Sequence, residues 1–364
     1  MKQDWIEVKL SSCIKLKSGD GLTAKKMIAG NYPVFGGNGI AGYHNAFNLS
    51  GEHIIIGRVG ALCGNARYID EKIWLTDNAF KVSEFKYDFD LKFLNYLLNY
   101  IDLRSYARQA AQPVISNSSL KDVNLFFPKS LAHQKQIVAT LDKAFAAIDT
   151  AKANAERNLQ NAKELFESYL QNVFENKGDD WEEKTLNEIS ENLDRQRVPI
   201  TKKDRKEGNI PYYGASGIVD YVQDYLFDED LLCVSEDGAN LLARTYPIAF
   251  SISGKTWVNN HAHILRFENT TSQYFVEYYL NSIKLDDFVS GMAQPKLNQT
   301  KLNTIRIPFP TSIKEQEKIV QKLDTLSAEC EKLEAIYKQK IADLEEMKKS
   351  ILQKAFSGQL NTQI

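Results

Sequence analysis

The chain has 364 residues, of which 43% are hydrophobic and 25% charged, and its formal net charge is −2. This length and composition predict a globular protein with two or more domains. The near-neutral charge argues against a strongly basic, stand-alone nucleic-acid-binding protein. Since no stretch approaches the roughly 18 apolar residues of a membrane span and no apolar signal segment opens the chain, we expect a cytoplasmic protein.

The cysteines agree with that location. Cys13, Cys63, Cys233 and Cys330 are far apart in the sequence and form no CxxC pair. We therefore expect reduced thiols rather than a disulfide framework or a structural zinc site.

The most informative feature is an internal duplication, whose offset grows from 176 residues (Trp5 to Trp181) to 183 residues (Trp74 to Trp257). A period of this length exceeds the roughly 20–50 residues of solenoid repeats, so the sequence predicts two complete domains. The matching segments are WIEVKL at 5–10 and WEEKTL at 181–186, YPVFGGNGI at 32–40 and IPYYGASGI at 210–218, WLTDNA at 74–79 and WVNNHA at 257–262, AQP at 111–113 and 293–295, and HQKQIV at 133–138 and EQEKIV at 315–320.

Each copy begins as a mixed α/β unit. Short β-rich runs such as 54–56 and 81–82 lie among Gly and Asn turns, and residues 93–98 predict a short buried helix that recurs at 274–280. The runs 125–128 and 307–310 end in proline, which disfavours helix, and so predict a closing strand in each copy.

A long helix is predicted after each closing strand. Residues 133–174 contain no proline or glycine, and apolar residues recur there every seven positions with one polar member, Lys152. Two helices of this kind, about 40 residues and ~60 Å long, must cover their apolar seams, and pairing with each other is favoured over separate packing on their own domains. The seam residues are Val138, Leu141, Phe145, Ile148, Leu159 and Phe166 in the first helix, and Leu323, Leu326, Leu333, Leu344, Met347 and Ile351 in the second.

These observations predict an α+β protein with two duplicated mixed α/β domains separated by two long antiparallel coiled-coil helices, pseudo-two-fold and nearly circular. The expected segments are domain 1 at 1–130, helix 1 at 131–177, domain 2 at 178–312, helix 2 at 313–358 and a tail at 359–364. Lys and Arg outnumber Asp and Glu by 16 to 12 over residues 1–130, whereas the ratio is 14 to 18 over residues 182–312.

Catalytic motifs are not found in the sequence. There is no phosphate loop ending in GK[ST], and the GNGIAG run at 37–42 is not followed by a helix pattern, so it predicts a tight turn rather than a dinucleotide site. His261 and His263 can share a strand face, but with no third ligand nearby in the sequence we expect no metal site.

Recognition residues are better represented. Polar and cationic side chains in Gly-rich turns can read base edges or hold phosphates, although ordinary turn chemistry explains any one of them equally well. A run of six cations in twelve residues is either a solvated loop or a phosphate-contacting arm. The candidates are Asn38, Arg58, Asn65, Arg67 and Asn78 in the first copy, the arm residues Arg195, Arg197, Lys202, Lys203, Arg205 and Lys206, and Arg244, Lys255, Asn259, Asn260 and His261 in the second copy.

With these features assembled, the chain resembles the specificity subunits of bacterial type I restriction–modification enzymes over essentially its whole length. The most specific matches are WLTDNA at 74–79, the Gln112-Pro113 and Gln294-Pro295 segments, and the two helix starts at 133–138 and 315–320. The resemblance implies two target-recognition domains that each read one half of a split DNA site, with the helices fixing the spacer.

The resemblance also implies partners. In this family a non-catalytic specificity subunit joins two methyltransferase subunits, which bind S-adenosylmethionine, and two restriction subunits, which use ATP and Mg, on double-stranded DNA. GRVG at 57–60 is replaced by SEDG at 235–238, and TDN at 76–78 by NNH at 259–261, so an asymmetric target is expected.

Two alternatives remain open. One is a coiled-coil scaffold without DNA function, which leaves the duplicated α/β domains unexplained. The other is a self-contained restriction or modification enzyme, which would need an adenine-methyltransferase Asn-Pro-Pro-aromatic motif that the sequence lacks.

Overall fold

The computed structural model describes residues 4–108, 112–291 and 294–360, and the chain forms two compact units. Unit 1 contains residues 1–156 and 339–364, and unit 2 contains residues 157–338. Each unit therefore combines one globular domain with part of each long helix. Ala111 and Ala293 of the two AQP segments, and residues 361–364 of the expected tail, lie outside the described residues.

The predicted mixture of strands and helices is confirmed. The strands of the first domain are β1 (Trp5–Lys9), β2 (Lys15–Ser18), β3 (Tyr32–Gly36), β4 (Gly39–His44), β5 (Glu52–Gly57), β6 (Ala66–Asp70), β7 (Trp74–Leu75), β8 (Ala79–Ser83) and β9 (Asn124–Pro128). The strands of the second domain are β10 (Trp181–Thr185), β11 (Ser190–Asn192), β12 (Glu207–Gly214), β13 (Gly217–Val222), β14 (Phe227–Asp228), β15 (Leu231–Ser235), β16 (Ala249–Ile252), β17 (Lys255–Val258), β18 (Ala262–Phe267) and β19 (Arg306–Pro310).

Helices fall into short elements within the domains and two long elements. The short helices are α1 (Leu10–Cys13), α2 (Leu91–Tyr100), α3 (Asn117–Leu120), α5 (Leu186–Ile189), α6 (Asn240–Ala243), α7 (Thr270–Ser282) and α8 (Gln299–Leu302). The long helices are α4 (Leu131–Glu175), with 45 residues, and α9 (Ile313–Phe356), with 44 residues. Within the described residues, none of these helices combines the length and the apolarity needed to cross a membrane.

The two domains share one strand order. β1 pairs with β9 so that Trp5 faces Pro128, and β10 pairs with β19 so that Trp181 faces Pro310. The sheet β2-β8-β5-β6 of the first domain corresponds to β11-β18-β15-β16 of the second, and β4-β3-β7 corresponds to β13-β12-β17-β14. This correspondence explains why the sequence repeats, and it gives the paired strands of one domain counterparts in the other, with β14 as an additional strand in the second domain.

The central strand of each domain is buried on both faces. In β5, Ile54 and Ile56 enter one apolar cluster and Ile55 enters another, because successive side chains of a strand point to opposite faces. In β15, Leu232 and Cys233 divide between two clusters in the same way. The four cysteines are free and buried, as expected for reduced thiols, and burial raises the pKa of the Cys13 thiol to about 11.

A buried glutamine joins each long helix to its domain. Gln134 donates from Nε2 to the Pro128 carbonyl at 2.9 Å, and its Oε1 accepts from the backbone of Asp90 at 2.8 Å. Gln316 donates in the same way to the Pro310 carbonyl at 2.8 Å and accepts from Ser272 Oγ at 2.7 Å. The HQKQIV and EQEKIV motifs therefore mark the point where a closing strand turns into a long helix.

A tyrosine makes a second equivalent contact in each unit. Tyr96 of α2 donates to Asp142 of α4 at 2.6 Å, and Tyr278 of α7 donates to Asp324 of α9 at 2.6 Å. Each domain helix is thus hydrogen-bonded to the long helix that follows it in the chain.

Within each unit the two long helices run antiparallel. In unit 1, Lys152 Nζ contacts Glu345 Oε1 at 2.6 Å, and Lys348 Nζ contacts Asp149 Oδ1 at 3.0 Å, so partners advance in opposite directions. The hydrogen bond to Glu345 raises the pKa of Lys152, which gives the single polar seam position of α4 a charged partner.

The same direction holds in unit 2. The Cys330 thiol of α9 contacts the backbone of Phe166 in α4, and Lys322 Nζ of α9 lies 5.6 Å from the centre of the Tyr169 ring in α4. The later residue of α4 thus contacts the earlier residue of α9, as in an antiparallel pair.

The burial of the predicted seam residues differs between α4 and α9. All the predicted α4 seam residues are buried or half-buried, as are Leu323, Leu344 and Ile351 of α9. Leu326 is half-buried at the edge, but Leu333 is 38% exposed and Met347 is 51% exposed. The second row of the α9 seam lies one residue further along, at Val320, Ser327, Glu334, Ile341, Lys348 and Ala355. Because half of that row is polar, the apolar pattern pointed to its neighbours instead.

A matched pair of leucines in α4 tests the seam. Leu141 is fully buried and Leu165 is 51% exposed in the same helix. We expect Leu141→Ala to lower the free energy of unfolding by about 2–5 kcal/mol through the cavity it leaves, and Leu165→Ala to change it by less than about 0.5 kcal/mol. Urea unfolding followed by circular dichroism measures both; equal effects would contradict this seam.

Candidate nucleic-acid interface

Two loops and a Gln-Pro segment meet in each domain. In unit 1 the backbone of Arg58 donates to the Asn78 carbonyl at 2.9 Å, and Gly60 donates to the Pro113 carbonyl at 3.1 Å. We call residues 57–60, 76–78 and 112–115 loop cluster 1, and their counterparts 235–238, 259–261 and 294–297 loop cluster 2. The corresponding bonds in cluster 2 run from Glu236 to His261 at 2.9 Å and from Gly238 to Pro295 at 3.0 Å. The TDN and NNH turns and the Gln-Pro segments of the two copies are thus each brought beside the GRVG or SEDG loop of their own domain.

Glycine is required by the packing of these loops. Gly60 has φ +91° and Gly238 has φ +111°, values that favour glycine. Gly37 lies so close to the loop that a Cβ there would be 2.1 Å from the Val59 carbonyl oxygen. The GNGIAG run forms the turn between β3 and β4, so its interpretation as a tight turn is confirmed.

Arg58 is the central cation of loop cluster 1. Its Nη1 donates to Ser18 Oγ and to the Asp77 carbonyl, both at 3.1 Å, and its guanidinium lies 5.0 Å from the centre of the Phe80 ring. Within the described residues no carboxylate forms an ion pair with Arg58. Its positive charge is therefore available to an external anion or base edge.

Loop cluster 2 has a carboxylate in the same place. Glu236 Oε2 accepts from Arg197 Nη1 at 2.7 Å, and Glu236 Oε1 contacts Lys296 Nζ at 3.0 Å. Burial acts to raise the pKa of Glu236, but Arg197 and Lys296 outweigh it and the pKa is lowered. This carboxylate is consequently ionised and internally compensated.

His263 completes the network beneath cluster 2. Its Nδ1 lies 2.6 Å from Asp194 Oδ2, and its Nε2 lies 2.8 Å from the Leu297 carbonyl oxygen. The ring is thus held between a carboxylate and a backbone carbonyl, both of which accept hydrogen bonds. Burial acts to raise the pKa of Asp194, but the hydrogen bond from His263 and the nearby Arg197 leave it lowered.

The two domains therefore carry opposite charges at equivalent positions. In unit 1, Phe80 of β8 is paired with Ile56 of the central strand β5. In unit 2, His263 of β18 is paired with Val234 of the central strand β15, so His263 occupies the position that Phe80 has in unit 1. Arg58 of one loop corresponds to Glu236 of the other. The two domains thus place differently charged side chains beside equivalent Gln-Pro segments.

The expectation about the two histidines needs a correction. His261 and His263 do not act together, because His261 contacts Asp237 and His263 contacts Asp194. Contrary to the sequence expectation, further acidic groups do lie close to His263: ligand atoms of Asp194, Glu236 and His263 all lie within 4.8 Å of one another. Tertiary folding brings them together. The Arg197 guanidinium contacts both carboxylates, so this cluster is an ion-pair network whose positive charge the chain itself supplies.

Ten of the sixteen candidate contact residues are exposed. Their side chains are therefore accessible to a ligand. These residues are Asn38, Asn65 and Asn78 in unit 1, and Arg195, Lys202, Lys203, Lys206, Lys255, Asn260 and His261 in unit 2.

Other candidates have structural partners. Asn259 is 6% exposed and caps the turn by accepting from the His261 backbone at 2.8 Å. Arg244 donates to the Leu280 carbonyl at 3.0 Å and to the Ile283 carbonyl, at the end of α7, where a cation compensates unpaired carbonyl groups. Arg197 belongs to the network above, so these three side chains hold the domain together.

Two further arginines are half-buried. Arg205 lies 4.4 Å from the centre of the Tyr212 ring and contacts Asp220 at 2.9 Å, so only part of the predicted arm is unpaired. Arg67 lies with its guanidinium beside Gly39, and burial lowers its pKa.

Sequence reasoning missed Asp194, Glu236, Asp237 and Lys296. The replacement of GRVG by SEDG marked the position of two of them, but it gave no sign of their partners, which come from distant segments.

The comparison with known families agrees with this geometry. A family model described as "Type I restriction modification DNA specificity domain" matches residues 2–158 and 178–345, which is most of the chain in two copies. The chain belongs to this family.

Curated relatives match part of the chain. It is 34% identical over 161 residues to a putative type I restriction enzyme specificity subunit of Haemophilus influenzae, covering 44% of this chain and 40% of that protein. It is 33% identical over 178 residues to the EcoprrI specificity subunit of Escherichia coli, covering 45% and 44% respectively. The matched regions thus span less than half the length of these relatives.

Solved structures support the fold. A chain from a structure described as the structural basis of complex assembly and conformational transition of the type I R-M system aligns with TM-score 0.77 at 16% identity. The alignment covers 98% of this chain and 99% of that chain. The HsdS subunit of Thermoanaerobacter tengcongensis aligns with TM-score 0.60 at 17% identity, covering 98% of each chain.

Arg197 and Arg195 provide a test of the network. We expect Arg197→Ala to destabilise the protein by about 3–5 kcal/mol at pH 7, because two buried carboxylates lose their partner, and Arg195→Ala by less than about 0.5 kcal/mol. The folded-state pKa values of Asp194 and Glu236 are lowered, so their contribution is present above the unfolded values of about 4 and is lost as pH falls through the folded values. The Arg197→Ala deficit should therefore shrink towards acidic pH in thermal unfolding. A deficit independent of pH would contradict the network.

Proposed function

We propose that this chain is the non-catalytic DNA-specificity subunit of a type I restriction–modification enzyme. Each domain reads one half of a split, asymmetric site in double-stranded DNA through its loop cluster. The observation that carries the proposal is the charge inversion between Arg58 and Glu236 on otherwise equivalent frames. A duplicated frame with divergent loops is suited to reading two different sequences with one geometry.

The loop clusters offer groups that suit both parts of DNA recognition. Asn78 can contact the N6 and N7 atoms of adenine bidentately, and Arg58 carries an uncompensated guanidinium. The exposed cations Lys202, Lys203 and Lys206 can contact phosphates, which position a protein without reading sequence.

Partners are part of the proposal. With a formal net charge of −2, the chain alone neutralises few phosphates, so tight binding requires basic surface from other subunits. We propose two methyltransferase subunits that bind S-adenosylmethionine and dock on the exposed faces of the long helices. Two restriction subunits that use ATP and Mg complete the enzyme.

A coiled-coil scaffold without DNA function is the main alternative. It accounts for the buried seam of α4 and α9, but it gives no reason for two loop clusters with conserved geometry and inverted charge. The test below separates the two.

The first measurement is methylation-site sequencing of DNA from cells that express the chain with its methyltransferase subunits. We expect a new split, asymmetric motif with a fixed spacer. Replacing residues 182–312 with the equivalent unit of another family member should change one half-site only. An assembled, active methyltransferase that yields no new motif would favour the scaffold.

Helix length should set the spacer. Lys152 contacts Glu345 across the pair, so removal of residues 152–158 and 339–345 deletes facing heptads. At ~1.5 Å per residue each loses about 10 Å, which corresponds to about three base pairs of ~3.4 Å. We expect the same half-sites with a spacer shortened by about three base pairs, or no binding. An unchanged spacer in the same sequencing assay would contradict the role of the helices.

A further inference from the structure

We propose that the His261 ring reads one base pair of the half-site recognised by unit 2, and that Asp237 is the positioning residue that orients this ring. The proposal rests on the proposed function and assigns a specific task to one residue of loop cluster 2. Its contact is a hydrogen bond between His261 Nε2 and a base edge in the major groove.

The His261 backbone is fixed before any ligand is bound. It lies in the turn between β17 and β18, where its N–H donates to Asn259 Oδ1 at 2.8 Å and its carbonyl accepts from Glu236 at 2.9 Å. Asn259 is itself buried, so the turn is held from inside the domain.

The ring is fixed by a carboxylate. His261 Nδ1 lies 2.8 Å from Asp237 Oδ2 and 3.0 Å from Oδ1. A carboxylate accepts hydrogen bonds, so Nδ1 carries the proton, and the tautomer and the ring orientation are set together. Nε2 lies on the other side of the imidazole from this contact.

The pair is half in the protein and half at its surface. The Asp237 side chain is 18% exposed, whereas the His261 side chain is 51% exposed. A partly exposed hydrogen-bonded pair of this kind adds little to the stability of the fold, so folding gives little reason to build it. Presenting an oriented imidazole to a ligand gives a reason.

Unit 1 has no such pair at the equivalent place. The isolated bridge between Val59 and Val114 corresponds to the bridge between Asp237 and Lys296, so Val59 stands where unit 2 has Asp237. Asn78 correspondingly stands where unit 2 has His261, since their carbonyls accept the equivalent loop bonds. An amide that needs no orienting carboxylate is thus exchanged for an imidazole that has one. The two positions therefore differ together between the units, from Val59 and Asn78 to Asp237 and His261, as expected for a pair of residues that determines specificity.

The test measures base selectivity rather than affinity alone. The full-length chain, purified with its methyltransferase subunits, is titrated at fixed salt with the wild-type target duplex and with duplexes that carry each single base-pair substitution. His261→Ala should reduce discrimination at one base pair of the unit 2 half-site by at least about fivefold and leave the unit 1 half-site unchanged.

Variants of Asp237 separate orientation from fold. Asp237→Val, which introduces the valine found at position 59 of unit 1, should lose selectivity at the same base pair. Asp237→Asn keeps an acceptor for the Nδ1–H of His261 and should therefore keep the selectivity. Asn78→Ala serves as the matched control and should affect only the other half-site.

The outcomes distinguish this inference from the proposed function. If the wild-type complex discriminates no sequence, the proposed function fails. If the wild type is selective but His261→Ala leaves discrimination unchanged, or weakens all duplexes equally, the assignment of His261 as a base reader is overturned.

Discussion

The structure depends on one contact that occurs twice, the buried glutamine at the start of each long helix. Gln134 and Gln316 are almost fully buried. The amide of each glutamine donates to a carbonyl of the closing strand and accepts a hydrogen bond from a residue at the start of a domain helix. A buried amide left without partners would cost about 1–3 kcal/mol, so this junction tolerates one geometry. It fixes the direction in which each helix leaves its domain, and the tyrosine–aspartate contacts repeat that constraint about two turns later.

With the junction fixed, the rest of each domain is free to diverge at its loops. The central strands β5 and β15 are apolar on both faces and cannot change without disturbing two clusters. The loop clusters lie at the ends of these strands, where a charge can be inverted provided its partners change with it. Glu236 illustrates the condition, because Arg197 and Lys296 both compensate its charge. Recognition can therefore change while the scaffold stays the same.

The helix pair shows how far pattern alone can predict packing. In α4 both rows of the seam are mostly apolar, and the seven-residue period identified them. In α9 one row contains Ser327, Glu334 and Lys348, and the predicted row was displaced by one residue onto Leu333 and Met347. Lys348 belongs in the seam because its Nζ lies 4.8 Å from the centre of the Phe145 ring and 3.0 Å from Asp149 Oδ1. A side chain with both an apolar stem and a charged end has no single place in an apolar pattern.

The sequence by itself determined the duplication, the mixed domains, the two long helices and the family, because these follow from repeats and periods that are local in the chain. It also identified the loops that bear the candidate site, through the Gln-Pro segments and the exchange of GRVG for SEDG. Only the tertiary structure decided which side chains remain available there. Arg197, Arg244 and Asn259 are the same residue types as good DNA contacts, but distant segments supply their partners and turn them inward. His261 is turned outward by Asp237, and that difference depends on which strands become neighbours when the chain folds.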